Sequence, residues 1–223
     1  MQSHAELFGV MRTRLSSALI GDVLDAAGLR HQFLPPEIRP LDPGTVLVGL
    51  AMPVLESDFS ADQQPDGAEP FGLMFRALDS LKPGDVYLAT GASPTYALWG
   101  ELMSTRAQRL GAAGAVLHGF HRDTRAIRRL GLPVFSHGAY AQDQGLRGRV
   151  TDFACPVLFP NEVRVAPGDL VFGDVDGVVI VPKQNLADVV ASAVAKAEGE
   201  DRVRAMIEQG ESAEAAFART GIM

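Results

Sequence analysis

The chain has a single cysteine, Cys155, so no internal disulfide can hold it together and its stability does not depend on oxidation. Cys155 sits in Phe-Ala-Cys-Pro-Val, an apolar setting that suits a small buried thiol better than a nucleophile. An excess of basic residues is also missing. Lys and Arg total 20 against 27 Asp and Glu, and the net charge of −7 argues against a nucleic-acid footprint. Arg122, Arg125, Arg128 and Arg129 come nearest to a basic patch, and they read as a solvated face with one functional member. No apolar run approaches the length needed to span a bilayer. The opening Met-Gln-Ser-His-Ala-Glu lacks the basic start and apolar run of a signal peptide, which points to a cytoplasmic protein. A glycine-rich phosphate loop, a nucleophile elbow and a paired-cysteine metal motif are all absent from the sequence.

What remains is an ordinary globular balance: 47% hydrophobic and 21% charged residues over 223 positions. No Gly/Ser-rich linker or charge run divides the chain, so one domain over 1–223 is expected. Three segments share a Pro-Gly pair before a strand-like run: Leu41–Gly49, Leu81–Ala89 and Val165–Gly173. Pro presets φ and Gly supplies the positive φ of a type II turn. Helices are expected between them, over 14–28 with Gly28 as the stop, over 68–80, and from Ala97 to Leu110. Gly177 to Pro182 reads as a buried strand closed by proline. A long helix follows over 185–209, and Ser212 can cap a short final one. The pattern is α/β, a central sheet with flanking helices and chemistry on the loops at strand ends.

Arg122 and Asp123 follow the apolar run Ala115–Phe120, and Glu101 precedes them by a spacer of twenty residues. One helix and one strand fill that spacer and can return the chain to its starting end. Two carboxylates and a guanidinium then face one cleft. Carboxylates suit a hard divalent cation, which takes oxygen ligands. An adjacent Arg suits the carboxylate of a small oxo-acid, which its planar fork grips with two hydrogen bonds. The amides of Leu102 and Met103 fall in the first helical turn, a ready anion site. Taken alone, Glu101 is as well explained as an acid stabilising its own helix start, and an Arg-Asp pair is common on surfaces. His118 and His121 flank the pair but are left out of the site, and His31 and His137 have no partner that spacing suggests. Asp174-Val-Asp-Gly177 lacks the further oxygen ligands of a calcium loop and reads as a tight turn between two strands.

Gly100-Glu-Leu-Met103, Gly119-Phe-His-Arg-Asp-Thr124, Gly131-Leu-Pro-Val-Phe135 and the run from Pro167 to Pro182 resemble the family of the regulator of ribonuclease activity A. That family includes class II aldolases acting on 4-hydroxy-4-methyl-2-oxoglutarate and 4-carboxy-4-hydroxy-2-oxoadipate. The resemblance runs from about Leu19 to the C-terminus, and the acid–X20–Arg–Asp spacing is its most specific part. It implies a sheet-and-helix fold of the swivelling, phosphohistidine-domain type, assembled as a trimer or hexamer with sites between subunits. It also implies a divalent ion, Mg2+ or Mn2+, with Asp123 as direct ligand and Glu101 holding metal-bound water. Arg122 would contact the substrate, and Gly100 with the Leu102 and Met103 amides would hold its carboxylate. A glutamate on the C-terminal helix of a neighbouring subunit completes the family site, with Glu200 the candidate and Glu198 the next. The implied activity is cleavage of a 4-hydroxy-2-oxo acid, or decarboxylation of oxaloacetate, to pyruvate through a metal-stabilised enolate. The alternative is a non-catalytic protein that binds and masks a ribonuclease.

Overall fold

Apolar and β-branched runs that follow turn-forming residues become the strands of a strongly curved sheet, and the amphipathic stretches become the helices outside it. The structure is a computed structural model and describes residues 4–59 and 71–222. It opens with α1 (His4–Arg14), which the pattern did not predict, and α2 (Ser17–Ala26), which fills the helix expected over 14–28 but starts later and stops two residues before Gly28. The break lies at Ser16, which is extended and accepts the Leu19 amide at 3.2 Å. A serine that caps a new helix cannot continue the old one. Leu19, Ile20, Val23 and Leu24 still form the buried stripe the pattern required.

The chain continues through β1 (Arg39–Pro40) and β2 (Leu47–Asp58). The stretch expected to be helical over 68–80 holds only α3 (Met74–Asp79), and its residues 68–70 lie outside the described residues. Then follow β3 (Asp85–Thr90), β4 (Ala97–Trp99) and α4 (Glu101–Arg109). The expected helix from Ala97 therefore begins four residues later, because Ala97–Trp99 is buried and extended and pairs in parallel with β6 (Phe120–His121). Before β6 comes β5 (Gly114–Leu117), and after it α5 (Thr124–Leu130) and β7 (Val134–Ser136). The last third contains β8 (Gly148–Phe153), the small hairpin β9 (Val157–Leu158) and β10 (Arg164–Val165), then β11 (Leu170–Asp174) and β12 (Gly177–Val181). α6 (Leu186–Glu208) and α7 (Ala213–Thr220) close the chain, with Ser212 capping α7 as expected.

The main sheet runs β1-β7-β5-β3-β2-β11-β12, with β8 paired on the far part of β2. β2, β3, β5 and β7 are parallel, as βαβ units require. The two ends approach each other. Leu34 N–H donates to Val178 O at 2.9 Å and Ile180 N–H to Gln32 O at 2.9 Å along β12, while Arg39 of β1 donates to the Asp176 carbonyl at 2.6 Å. The result is a nearly closed, barrel-like sheet with little free edge.

Alternation sorts the side chains. Val48, Leu170, Phe172, Val179 and Val181 pack under α1, α2 and α6, and Met52, Val54, Tyr87, Ala89, Ala115 and Leu117 pack under α3, α4 and α5. The opposite face carries Leu47, Ala51, Val86, Leu88, Val116, Phe135 and Ile180 around Phe159. Truncating fully buried Phe135 to alanine would cost about 3–5 kcal/mol.

Gly84 (φ 84°) and Gly168 (φ 83°) take the positive φ expected of Pro-Gly turns. Gly44 does not; its turn closes Thr45 N–H on Asp42 O at 3.0 Å without a left-handed residue. Among the described residues no helix is long and apolar enough to cross a membrane.

Candidate active site

The small β4–β6 sheet continues from the carboxyl ends of β3 and β5, the end at which open parallel sheets bind ligands. Its pairing brings residues 99–101 beside 121–123, with the Arg122 amide donating to Trp99 O at 2.8 Å. Asp123 caps α5 in a left-handed conformation, φ 62° and ψ 30°, which Asp tolerates better than most residues. That turn aims its carboxylate back at the start of α4, where Oδ2 accepts the Glu101 amide at 3.1 Å. A Cβ on Gly100 would stand 2.8 Å from the same oxygen, so any larger residue there would displace the Asp123 carboxylate.

Glu101 is the first residue of α4 and accepts Thr105 Oγ1–H at 3.2 Å through Oε1. The amides of Leu102 and Met103 belong to the same first turn and have no carbonyl one turn back within the helix. Arg122 reaches Asp143 through Nη1 at 3.1 Å and lies 3.8 Å from Asp123 through Nε. Two carboxylates, Asp123 and Asp143, therefore flank one guanidinium.

Gly100, Leu102, Met103, Arg122 and Asp123 line one cleft of about 360 Å³. Phe71, Met74, Phe75, Leu78, Leu98 and Trp99 form its apolar wall, and Leu102 stands 80% exposed at its rim. Asp143 and Gln144 complete it. Sequence reasoning missed both, since they fall in an irregular stretch with no periodicity. The only available signal was a run of polar residues, Gln142-Asp-Gln144, on a loop between strands.

Glu200 does not join this group within the chain. It lies 3.7 Å from Lys196 on α6, over a separate groove lined by Arg14, Ser16 and Arg204, while Glu198 lies 3.4 Å from Arg14. Of the histidines, His121 is packed, with Nδ1 2.7 Å from Ser136 Oγ and Nε2 3.1 Å from Thr124 Oγ1. Burial, and then the Arg128 charge, hold its pKa below the usual imidazole value. Cys155 is half-buried against the inner cluster rather than enclosed, and burial raises its thiol pKa. Asp174 and Gly177 pair across the β11–β12 hairpin, which confirms the turn reading.

The donor set fits a hard divalent ion. Asp123 offers an exposed carboxylate with one oxygen on the Glu101 amide, whereas the Glu101 carboxylate accepts Thr105 Oγ1–H and is not among the side chains that line the cleft. Among the described residues no three His, Cys, Asp or Glu side chains converge as a ready-made cage. Protein oxygens would fill only part of the coordination shell, which suits magnesium because it keeps several waters.

A Halalkalibacterium halodurans protein named "Putative 4-hydroxy-4-methyl-2-oxoglutarate aldolase" is 31% identical over 210 residues, covering 92% of this chain and 91% of that one. Protein DlpA of Legionella pneumophila is 30% identical over 202 residues, 90% of this chain but only 32% of its own length. Among solved structures, Streptomyces coelicolor RraAS2, described as an unusual member of the RNase ES inhibitor RraA protein family, superposes with a TM-score of 0.78 at 27% identity, covering 92% of this chain and 98% of its own. An uncharacterized protein from Pseudomonas syringae pv. tomato gives 0.83 at 26% identity, over 98% and 95%. Residues 17–180 match the RraA-like family, described as Aldolase/RraA, and the chain belongs to that family.

Proposed function

We propose that this protein is a divalent-metal-dependent lyase that cleaves a 4-hydroxy-2-oxo acid, or decarboxylates oxaloacetate, to release pyruvate. The observation that carries the reading is the convergence of Arg122, Asp123 and the first turn of α4 on one cleft, a guanidinium, a carboxylate and free amides within reach of one small oxo-acid. Asp123 would hold the ion directly and Glu101 through water. When bound, the ion supplies Lewis-acid polarisation of the 2-oxo group. Arg122 places positive charge beside the oxygen on which negative charge develops, and the Leu102 and Met103 amides orient the substrate carboxylate. The apolar wall excludes water from the reacting carbons.

The C4 hydroxyl proton needs a base, and this cleft presents only carboxylates already engaged with Arg122, Thr105 or the Glu101 amide. A glutamate from a second copy of the chain, Glu200 or Glu198, would complete the site in a trimer or hexamer. The whole chain, 1–223, would act as one aldolase-like domain.

The test measures pyruvate release from oxaloacetate and from 4-hydroxy-4-methyl-2-oxoglutarate, with Mg2+ or Mn2+ and with chelator. Metal-dependent release from either substrate is expected; none with metal present would overturn the reading. A second reading draws on the description of the Streptomyces coelicolor relative: a non-catalytic protein that binds a ribonuclease. Ribonuclease inhibition that survives Asp123→Ala, with no pyruvate formed, would favour it.

A further inference from the structure

Glu56 lies on β2 at the bulge where β8 changes register, and it is 2% exposed. Its Oε2 accepts Gln144 Nε2–H at 2.6 Å, and its Oε1 is buried without a partner. No cation faces it. Gln144 comes from the loop before β8, Tyr87 from β3 has a buried hydroxyl without a partner, and Tyr96 and Asp58 pair with each other nearby. A carboxyl kept in such a place is uncommon, because burying an unpaired charge is expensive.

The buried end of this pair connects to the cleft. Gln144 is 2% exposed and lines the cleft wall. Its carbonyl accepts the Arg147 and Gly148 amides at 2.7 and 3.0 Å. The residue before it, Asp143, accepts the Gly145 amide on Oδ2 at 3.1 Å and faces Arg122 Nη1 with Oδ1 at 3.1 Å. Upstream, Gln142 O accepts the Ala97 amide at 2.8 Å, which ties the segment to β4.

We propose that Glu56 is the positioning residue of the cleft: through Gln144 it fixes the segment that carries Asp143, and Asp143 in turn holds the Arg122 guanidinium. The inference rests on the function proposed above for its catalytic readout only. Burial pushes the Glu56 carboxyl up to about 8, while the Gln144 bond pulls it the other way. Around neutral pH the group is therefore a neutral acid that fits its site. As pH rises through 8 it becomes a buried anion with one donor and no cation, and hydrating it requires the 142–148 segment to move. Arg122 then loses its fixed geometry.

Trp99, the only tryptophan, lines the cleft and packs on Tyr87 with ring centroids 4.9 Å apart, so it reports this region without any substrate. The experiment follows Trp99 emission and the kcat/KM for pyruvate release from pH 6.5 to 9.5 in the wild type, Glu56→Gln and Gln144→Leu. The wild type should show one emission transition near pH 8 and a loss of roughly tenfold or more in kcat/KM across it. Glu56→Gln, shaped like the protonated acid, should lack the transition and keep kcat/KM within about threefold from pH 7 to 9. Gln144→Leu removes a bond that favours the anion, so its emission midpoint should move to higher pH. A merely structural role would leave kcat/KM without a fall that tracks the emission transition and moves with it. The proposal is overturned if Glu56→Gln retains the wild-type transition, or if Gln144→Leu does not move it. If no substrate is turned over, the proposed function fails, and the emission profiles still decide the role of Glu56.

Discussion

Two helices of this protein begin at a carboxylate delivered from far along the chain, and they differ in what is left over. At α2, Asp174 accepts the Ser17 amide on Oδ2 and the Ser17 hydroxyl on Oδ1, both at 2.7 Å, and takes the Asp176 amide at 3.0 Å as well. It is 9% exposed and its bonding is saturated. At α4, Asp123 accepts one amide at 3.1 Å and lines the cleft, with the side chain 45% exposed. Both satisfy an orphan helix donor and both favour the dipole. Saturation and burial make the first a structural brace; the unsaturated, exposed second is free to do chemistry.

The sharpest way to break this contrast is to remove each carboxylate. Asp123→Ala should take metal-dependent turnover to background while the thermal midpoint stays within about 2 °C, as for an exposed loop substitution. Asp174→Ala strands three donors in the interior and should cost about 3 kcal/mol, roughly 6–12 °C, with kcat of the folded fraction retained. Melting curves beside pyruvate assays check both. A large stability loss in Asp123→Ala would place it with Asp174 as a brace.

Arg122→Lys comes next. Lysine keeps the charge but is a point donor, so it cannot span Asp143 and an oxo-acid in one plane. A loss on the order of a hundredfold in kcat/KM, about 3 kcal/mol, is expected. Equal activity would show that Arg122 supplies only diffuse charge.

Gly100→Ala should act more weakly, because the backbone there, φ −146°, admits any residue. The added methyl would sit 2.8 Å from Asp123 Oδ2 and push that carboxylate off the Glu101 amide. A roughly tenfold loss of metal affinity is expected, the size typical when a group supporting a ligand is disturbed. Titration of Mn2+ by its paramagnetic signal would measure it, and unchanged affinity would mean the contact does not set the geometry.

The sequence carried this contrast unevenly. Periodicity located the stripe of α2, the strand Gly177–Val181 and the cap of α7, because each is written in adjacent residues. The spacing from Glu101 to Arg122-Asp123 was legible for the same reason, as one helix and one strand bring the two together. Asp143 and Gln144 were not, since their roles depend on a loop crossing beside β4 and on a carboxyl 88 positions away. The strand at Ala97–Trp99 read as helix because three apolar residues carry no period of their own. Glu200 sits on a predicted helix, and within one chain it meets Lys196 rather than the cleft.

A third kind of group sharpens the rule, one that is half-buried with an enclosed ring nitrogen left unpaired. His118 Nδ1 and His137 Nε2 are both buried without partners, their rings 4.7 Å apart and nearly perpendicular. Burial lowers both pKa values; His137 adds to the effect on His118, and the Glu37 charge opposes it for each. The unfolded chain, with ordinary imidazoles near 6.5, then binds more protons than the folded one as pH falls. Their contribution to stability should be flat above about pH 7.5 and decline as pH drops through 6.5. Glu56 tilts the curve the other way, since its raised pKa makes the folded state the better proton binder between 4.5 and about 8. Comparison with a His118→Gln/His137→Gln double variant cancels that contribution, because both proteins keep Glu56. Between pH 7.5 and 5.5 the wild type should lose on the order of 2–4 °C more in midpoint than the double variant, the response of a domain this size to about 1 kcal/mol. Equal losses would mean that these two imidazoles accept protons in the folded state as readily as in the unfolded one.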